Sequence, residues 1–212
     1  MEFEINKQIS QCFSDTDASC PKCMEYFSVL FCTDNDMKDS SMDRYILDNK
    51  CISGLQVQIN EEMHASLVYM HMAAHFGSNS VGRKGFSKFF KHSSDEEREH
   101  AQKLIDYINK RSGWVTAFDI KMPGKTIWKN GMEALEDALN LENQVNNKLH
   151  HIHQMAEKIC VDPHLMNFIE GEFLTEQVES INELKTFISQ LGAMNDGMGE
   201  YLFDQELLEK SD

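Results

Sequence analysis

Four segments of the chain, at about residues 49–77, 84–112, 129–159 and 164–192, repeat apolar residues at the helical period with no breaker inside them. Each is about 28–30 residues, or about 42–45 Å of helix at 1.5 Å per residue. The three prolines, at 22, 123 and 163, all fall outside these segments. Rods of equal length with one apolar stripe each must bury their stripes on one another. The expected fold class is therefore all-α, a four-helix bundle with a short fifth helix at about 195–208.

The connections set the order. Gly77-Ser78-Asn79-Ser80 gives a short turn, so helices one and two are antiparallel neighbours. Asp162-Pro163 separates the third from the fourth, with Asp162 placed to cap and Pro163 suited to the first turn. The link from Gly113 to Trp128 is different: extended, it reaches roughly 50 Å. It can cross the whole bundle height, which makes helix three parallel to helix two and gives one long crossover.

Residues 1–47 show no sustained period and are expected to form an N-terminal extension, with the bundle domain at 48–212. Of the six cysteines, at 12, 20, 23, 32, 51 and 160, five fall in the first 51 residues. That crowding is read as disulfide bonding in an oxidising compartment, with fifteen possible pairings and no selection among them. Cys20-Pro-Lys-Cys23 alone could be half of a zinc site or a redox pair, but no second CxxC or matching His pair follows. "MEFEINKQIS" is acidic and lacks the apolar core of a signal peptide. The expected location is secreted or in the secretory lumen as a mature form, with cytoplasmic as the alternative. The net charge is −15, which leaves no basic stripe for nucleic acid or an anionic membrane. No apolar run is long enough to span a bilayer.

The apolar stripes are where chemistry enters. Helix one reads Leu55, Ile59, Glu62, Ser66, Tyr69, Ala73, Phe76. Helix two reads Phe86, Phe90, Ser93, Glu97, His100, Leu104, Ile108. Helix three reads Trp128, Met132, Leu135, Leu139, Glu142, Val145, Leu149, Ile152. Helix four reads Leu165, Ile169, Phe173, Gln177, Ile181, Leu184, Ile188, Leu191. Each is interrupted about 13 residues, or roughly 20 Å, into its helix. Mid-height is shared by parallel and antiparallel helices, so Glu62, Glu97, His100, Glu142 and Gln177 can converge on one place.

A lone buried Glu is usually a tilted side chain; four stripes broken at one level are not explained that way. Three buried carboxylates repel one another and lose hydration, which bound cations relieve. Three carboxylates, one imidazole and one amide carbonyl form a hard, oxygen-rich set suited to iron or manganese. The Glu97-x-x-His100 spacing matches a pattern already known from di-iron carboxylate bundles. Its absence at Glu142, which is followed by Val145, makes the second metal position the weaker one. Tyr69, one heptad after Glu62, is either core aromatic or, beside a metal, a hydrogen-bond donor to a ligand or a carrier of an electron.

Glu61-x-x-His64 has the same spacing on the opposite face of helix one and reads as surface. His150, His151 and His153 spread around their helix. No G-x-S-x-G, phosphate loop or dinucleotide fingerprint occurs.

The segments "QINEEMHASLVYM", "FFKHSSDEEREHAQKL", "ALEDALNLENQVNNKL", "DPHLMNFIEGEFLTEQVESINEL" and "GEYLFDQELL" resemble ferritins of the heavy, iron-oxidising type over about residues 50–208. The resemblance implies a di-iron ferroxidase centre on Glu62, Tyr69, Glu97, His100, Glu142 and Gln177. In it Glu62, Glu97 and His100 bind the first iron, Glu97 bridges, Glu142 binds the second and Gln177 assists through solvent. It further implies a 24-subunit cage that takes Fe(II) and O2 or peroxide and stores a ferric oxyhydroxide mineral. Glu96 and Glu99 resemble the family's inner acidic cluster, though Gln102 replaces a third Glu. Glu170 resembles the acidic ring of a three-fold channel, whose usual Asp companion is Asn167 here. The cysteine-bearing extension resembles secreted arthropod ferritins, which adds a light-type partner subunit as the alternative to a homomeric cage. A cage-forming structural subunit that leaves mineralisation to a partner chain is the competing function.

Overall fold

Asp48 opens the first long helix, its carboxylate accepting from the Lys50 amide at 2.7 Å. Helix α1 then runs unbroken over Asn49–Gly77, and α2 over Lys84–Lys110. The computed structural model describes residues 43–194 and 197–210. The compact helical unit starts at Tyr45. The expected extension, with Cys12, Cys20, Cys23 and Cys32, lies almost wholly outside the described residues.

Helices α1 and α2 pack closely because small residues face each other at mid-height. Ser66 Oγ donates to the Ser94 carbonyl at 2.6 Å, and Ser94 Oγ donates to the Ser66 carbonyl at 2.8 Å. The expected stripe residue was Ser93; the structure buries Ser94 instead, because this reciprocal bond pulls its side chain into the seam.

The crossover climbs alongside α1. Gln56 Oε1 accepts from the Thr116 amide at 2.9 Å, Asn60 Oδ1 accepts from the Asp119 amide at 3.2 Å, and the His64 ring bonds the Lys121 carbonyl. Gln56, Asn60 and His64 are successive turns of one face, so α1 serves as a polar ladder for an otherwise unsatisfied extended backbone. The climb ends where Trp128 packs on His75 and donates its indole N–H to Asp137 at 2.9 Å. Asn130 then caps α3, Gly131–Met155, by accepting from the Glu133 amide. Because the crossover covers the bundle height, α3 runs parallel to α2, as expected.

Helix α3 ends in a π-helical turn, Ala156–Cys160, and Val161 turns left-handed at φ 47°. Asp162 caps α4, Pro163–Ile169, accepting from the Leu165 amide at 2.9 Å, with Pro163 in the first turn. A second π turn, Glu170–Leu174, joins α4 to α5, Thr175–Met194, and the three form one continuous rod, the bundle's fourth. Cys51, in the first turn of α1, is bonded to Cys160. Nearby Arg111 donates to Asp162 at 2.6 Å, to the Tyr107 hydroxyl at 2.7 Å and to the Tyr45 carbonyl at 2.6 Å. This end of the bundle is thus held by one covalent bond and one buried ion pair.

The short α6, Gly197–Lys210, closes the opposite end. Buried Asp204 accepts from the Phe86 amide at 3.0 Å, and Glu200 accepts from the Gly131 amide at 2.9 Å. Two carboxylates of one helix therefore sit on the N-termini of α2 and α3, where the unpaired amides and the helix dipole favour negative charge. Residue 85 must be glycine here, since a Cβ would lie 1.8 Å from the Asp204 carbonyl oxygen.

The core divides at the broken level of the stripes. Below it lie Leu55, Ile59, Leu104, Leu149, Ile169 and Phe173; above it lie Met72, Phe76, Phe86, Phe90, Leu135 and Phe203. Among the described residues, no helix is long and apolar enough to cross a membrane.

Candidate metal centre

Between these two apolar clusters the structure buries Glu62, Glu97, His100, Glu142 and Gln177, none more than 7% exposed. Each sits on the inward stripe of its helix, placed there by apolar neighbours one turn away. Ligand atoms of Glu62, Glu97 and His100 lie within 4.8 Å of one another. Glu97 thus lies beside Glu62, and the charge of Glu142 also acts on it. Glu142 in turn accepts from Gln177 Nε2 at 2.9 Å and from the Tyr69 hydroxyl. Tyr69 is 1% exposed and bonded to a site carboxylate, so it belongs to the site and not only to the core. The five residues expected at mid-height are brought together, with Tyr69 joined to them through Glu142.

Burial drives the electrostatics. Desolvation pushes Glu62 and Glu97 well above the ordinary glutamate value of 4.5; the Glu97 charge adds to it at Glu62, and the Glu142 charge at Glu97. Tyr69 is likewise pushed well above 10.0, first by burial and then by the Glu142 carboxylate. Burial pulls His100 down, but the Glu176 and Glu62 carboxylates outweigh it and hold the imidazole above 6.5. Glu62 Oε2 is fully buried and has no hydrogen-bond partner. A carboxylate oxygen without a partner, beside the Glu97 carboxylate and the His100 ring, is what a divalent cation would satisfy. Three carboxylates, one imidazole and one amide match the hard, mixed oxygen and nitrogen donors that Fe(II) or Mn(II) accept.

Two neighbours escaped sequence analysis. Gln58, 0% exposed, donates its amide N–H to Glu62 Oε1 at 2.8 Å. Glu176 pairs with His100 Nε2 at 3.0 Å, while His100 Nδ1 faces Glu97 Oε2 at 3.4 Å. An acceptor on Nε2–H leaves the Nδ1 lone pair turned to the carboxylates. Glu176 directly precedes the stripe residue Gln177, so helical spacing gives no sign of it. The i, i+4 relation of Gln58 to Glu62 could have revealed the first of the two.

The remaining expected residues lie elsewhere. Glu96 is half-buried and lines a cleft of about 810 Å³ that reaches Glu97, His100, Glu142 and Glu176 from the α2–α5 side. Glu99 is exposed and lies outside that lining. Glu170 is exposed, away from the centre, and accepts from His153 at 2.6 Å. Glu61 pairs with Lys148 and His64 with the crossover backbone, so that pair is no metal site. His150 and His151 point outward.

A Ferritin-like domain model matches residues 52–194. Soma ferritin of Lymnaea stagnalis is 46% identical over 162 residues, covering 75% of this chain and 91% of the relative. A ferritin of Pacifastacus leniusculus is 49% identical over 154 residues, 72% of this chain and 84% of the relative. Ferritin-1 heavy chain of Schistosoma mansoni is 42% identical over 168 residues, 79% and 96% respectively. With the helix order, the crossover and the matched span in agreement, the chain belongs to the ferritin family.

Proposed function

We propose that this chain is an iron-storage ferritin subunit that oxidises Fe(II) to Fe(III) with O2 or peroxide as electron acceptor. The observation that carries this reading is the buried group of Glu62, Glu97 and His100, whose ligand atoms lie within 4.8 Å of one another, with the Glu142 charge acting on Glu97. One carboxylate flanked by two others provides two adjacent cation positions with a shared ligand. Glu62, Glu97 and His100 serve the first; Glu97 and Glu142, with Gln177 beside them, serve the second. Glu142 has no histidine at i+3, so the second position holds its ion more loosely and releases it more readily.

The chain's own residues supply binding, charge compensation and exclusion of bulk water. Tyr69 holds Glu142 in place through its hydroxyl, and Gln177 does so through its amide. The cleft lined by Glu96, Glu176, Glu179 and Glu183 gives cations an acidic route between the centre and solvent.

Assembly is proposed on the exposed apolar residues of the crossover. Trp114 is 81% exposed, Ile127 72% and Met122 66%, with Phe118 also exposed. Apolar surface of this density fits contact with further copies, in a 24-subunit cage that is homomeric or shared with a light-type subunit, and that stores a ferric oxyhydroxide mineral. Residues 1–47 are proposed as the extension, and the Cys51–Cys160 bond favours a secretory or extracellular location.

Stopped-flow oxidation of Fe(II) by the isolated chain tests the enzyme reading. Glu97→Ala with His100→Ala removes the shared carboxylate and the only imidazole, and is expected to abolish the fast phase. An unchanged fast phase would transfer the activity elsewhere. Light scattering of the same preparation, expected at the mass of a 24-mer, tests the assembly.

A further inference from the structure

We propose that Gln58 is a positioning residue that acts through Glu62, presenting a single carboxylate oxygen to the first cation; this rests on the cation-site reading of the cluster. Gln58 precedes Glu62 by four residues, one turn earlier on the buried stripe of α1. Its side-chain N–H donates to Glu62 Oε1 at 2.8 Å, while its own carbonyl oxygen is buried and has no partner. An amide in this position is a poor choice for packing. It leaves an unsatisfied acceptor in the core, which a leucine or methionine of similar volume would not. What the amide does achieve is an asymmetry between the two oxygens of Glu62. Oε1 is tied to Gln58, and Oε2, the oxygen without a partner, is left for a ligand.

The asymmetry has a chemical consequence. A free carboxylate can chelate one ion through both oxygens or swing to bridge two. With Oε1 tied, Glu62 is restricted to a terminal, one-oxygen role. Sharing between the two cation positions then falls to Glu97, which lies beside Glu62 and feels the Glu142 charge. Gln58 thereby fixes which carboxylate is terminal and which is shared, a division of labour that the donor set alone does not impose. Partners of metal ligands typically contribute about 10- to 100-fold in affinity.

The test uses Co(II) under argon, so that no oxidation occurs, added to the assembled full-length protein. The signal is the visible absorption band of Co(II) that Glu62→Ala removes. Gln58→Met and Gln58→Leu each delete the N–H donor at nearly constant volume. Both are expected to weaken the Glu62-dependent Co(II) binding by about 10- to 100-fold and to change the band shape as Glu62 gains freedom. The melting temperature of the metal-free protein is expected to stay level or rise. Affinity and band shape matching the parent in both variants would overturn the proposal. So would a loss of affinity that tracks a fall in melting temperature, since that marks a packing role. If Glu62→Ala removes no Co(II) band from the parent protein, the cation-site reading itself fails and takes the role of Gln58 with it.

Discussion

The disulfide between Cys51 and Cys160 closes a loop of 109 residues, which holds nearly all of α1, α2, the crossover and α3. Replacing both cysteines with serine should destabilise the protein mainly by releasing the unfolded chain. The chain-entropy relation for a loop of this length gives about 16 cal/mol/K, or about 4.8 kcal/mol at 25 °C. Denatured chains retain some compactness, so a measured loss of about 2–4 kcal/mol is expected. Unfolding in guanidinium, followed by far-ultraviolet circular dichroism, gives the number. With a denaturant slope of about 2–6 kcal/mol/M, the midpoint should fall by roughly 0.3–2 M. The parent protein with its thiols reduced should match the double variant. The amide of Asp162, which donates to the Ala156 carbonyl at 2.9 Å across the π turn, gives an independent readout. If the bond acts on the unfolded chain, exchange of that amide should quicken in the variant by no more than the loss of global stability dictates. A midpoint change below about 0.1 M, with the bond verified by mass spectrometry in the parent, would refute the loop-closure reasoning.

Four further outcomes follow from the geometry. Glu62→Gln removes a buried carboxylate oxygen that has no partner. It should stabilise the metal-free protein by about 1–3 kcal/mol, seen as a higher melting temperature, while abolishing the response to Fe(II). Tyr69→Phe removes the hydroxyl bonded to Glu142 and should slow Fe(II) oxidation about tenfold or more in stopped flow, with little change in melting temperature. Asp204→Ala exposes the buried Phe86 amide at the start of α2 and should cost about 1–2 kcal/mol by denaturant titration. Glu176→Ala leaves His100 Nε2 without its acceptor and should weaken Co(II) binding about 10- to 100-fold, with Glu176→Gln restoring most of it.

How much of this was legible in the sequence depends on whether the signal was periodic. The four rods and the mid-height meeting of Glu62, Glu97, His100, Glu142 and Gln177 rest on repeated spacing, and the crossover on the reach of an extended link; the structure has the same rods and crossover and brings those five side chains together. Ser94 in place of Ser93 was not legible, because a serine at the edge of a stripe goes where its hydrogen bond is, and that bond lies on another helix. The two π turns were not expected either, yet one left a trace. Leu165, Ile169, Phe173 and Gln177 are spaced by four three times in succession, and all four are buried. Each step overshoots a turn by about 40°, so an unbroken α-helix would carry Gln177 about 120° off the stripe. The π turn at Glu170–Leu174 absorbs one residue and returns Gln177 to the centre. It also accounts for burial passing to Phe187, with Ile181 and Ile188 only half-buried. The cysteine pairing was beyond sequence reasoning altogether, since fifteen pairings differ only in distances that the fold creates.

The buried charges separate by the direction of their pH dependence, and that separates function from stability. Glu62 and Glu97 are raised by burial above 4.5, so between that value and their folded values the folded state holds protons that the unfolded state has lost. Stability of the metal-free protein must therefore fall as pH rises through this window. His100, raised above 6.5, contributes in the same sense: its stabilisation is complete below 6.5 and is lost as pH rises through the folded value. At Asp162 burial acts upward, but the Arg111 guanidinium outweighs it and holds the carboxyl below 3.8, so its contribution is present above 3.8 and is lost on acidification. The ion pair at the base of the bundle thus favours neutral pH, while the centre opposes it. A divalent cation replaces the protons at Glu62 and Glu97, so it should restore stability most at the pH where the metal-free protein has lost most. Urea unfolding from pH 4.5 to 8 in chelator is expected to show a declining limb, and the same series with Mn(II) a flat or rising one. The Glu62→Gln, Glu97→Gln double variant should lose the decline between pH 4.5 and 6.5 and the Mn(II) response together, keeping only the His100 part above 6.5, where Glu176 still holds the imidazole up. If the decline below pH 6.5 survives in that variant, the cost of the buried charge lies outside the centre and no cation is needed to offset it.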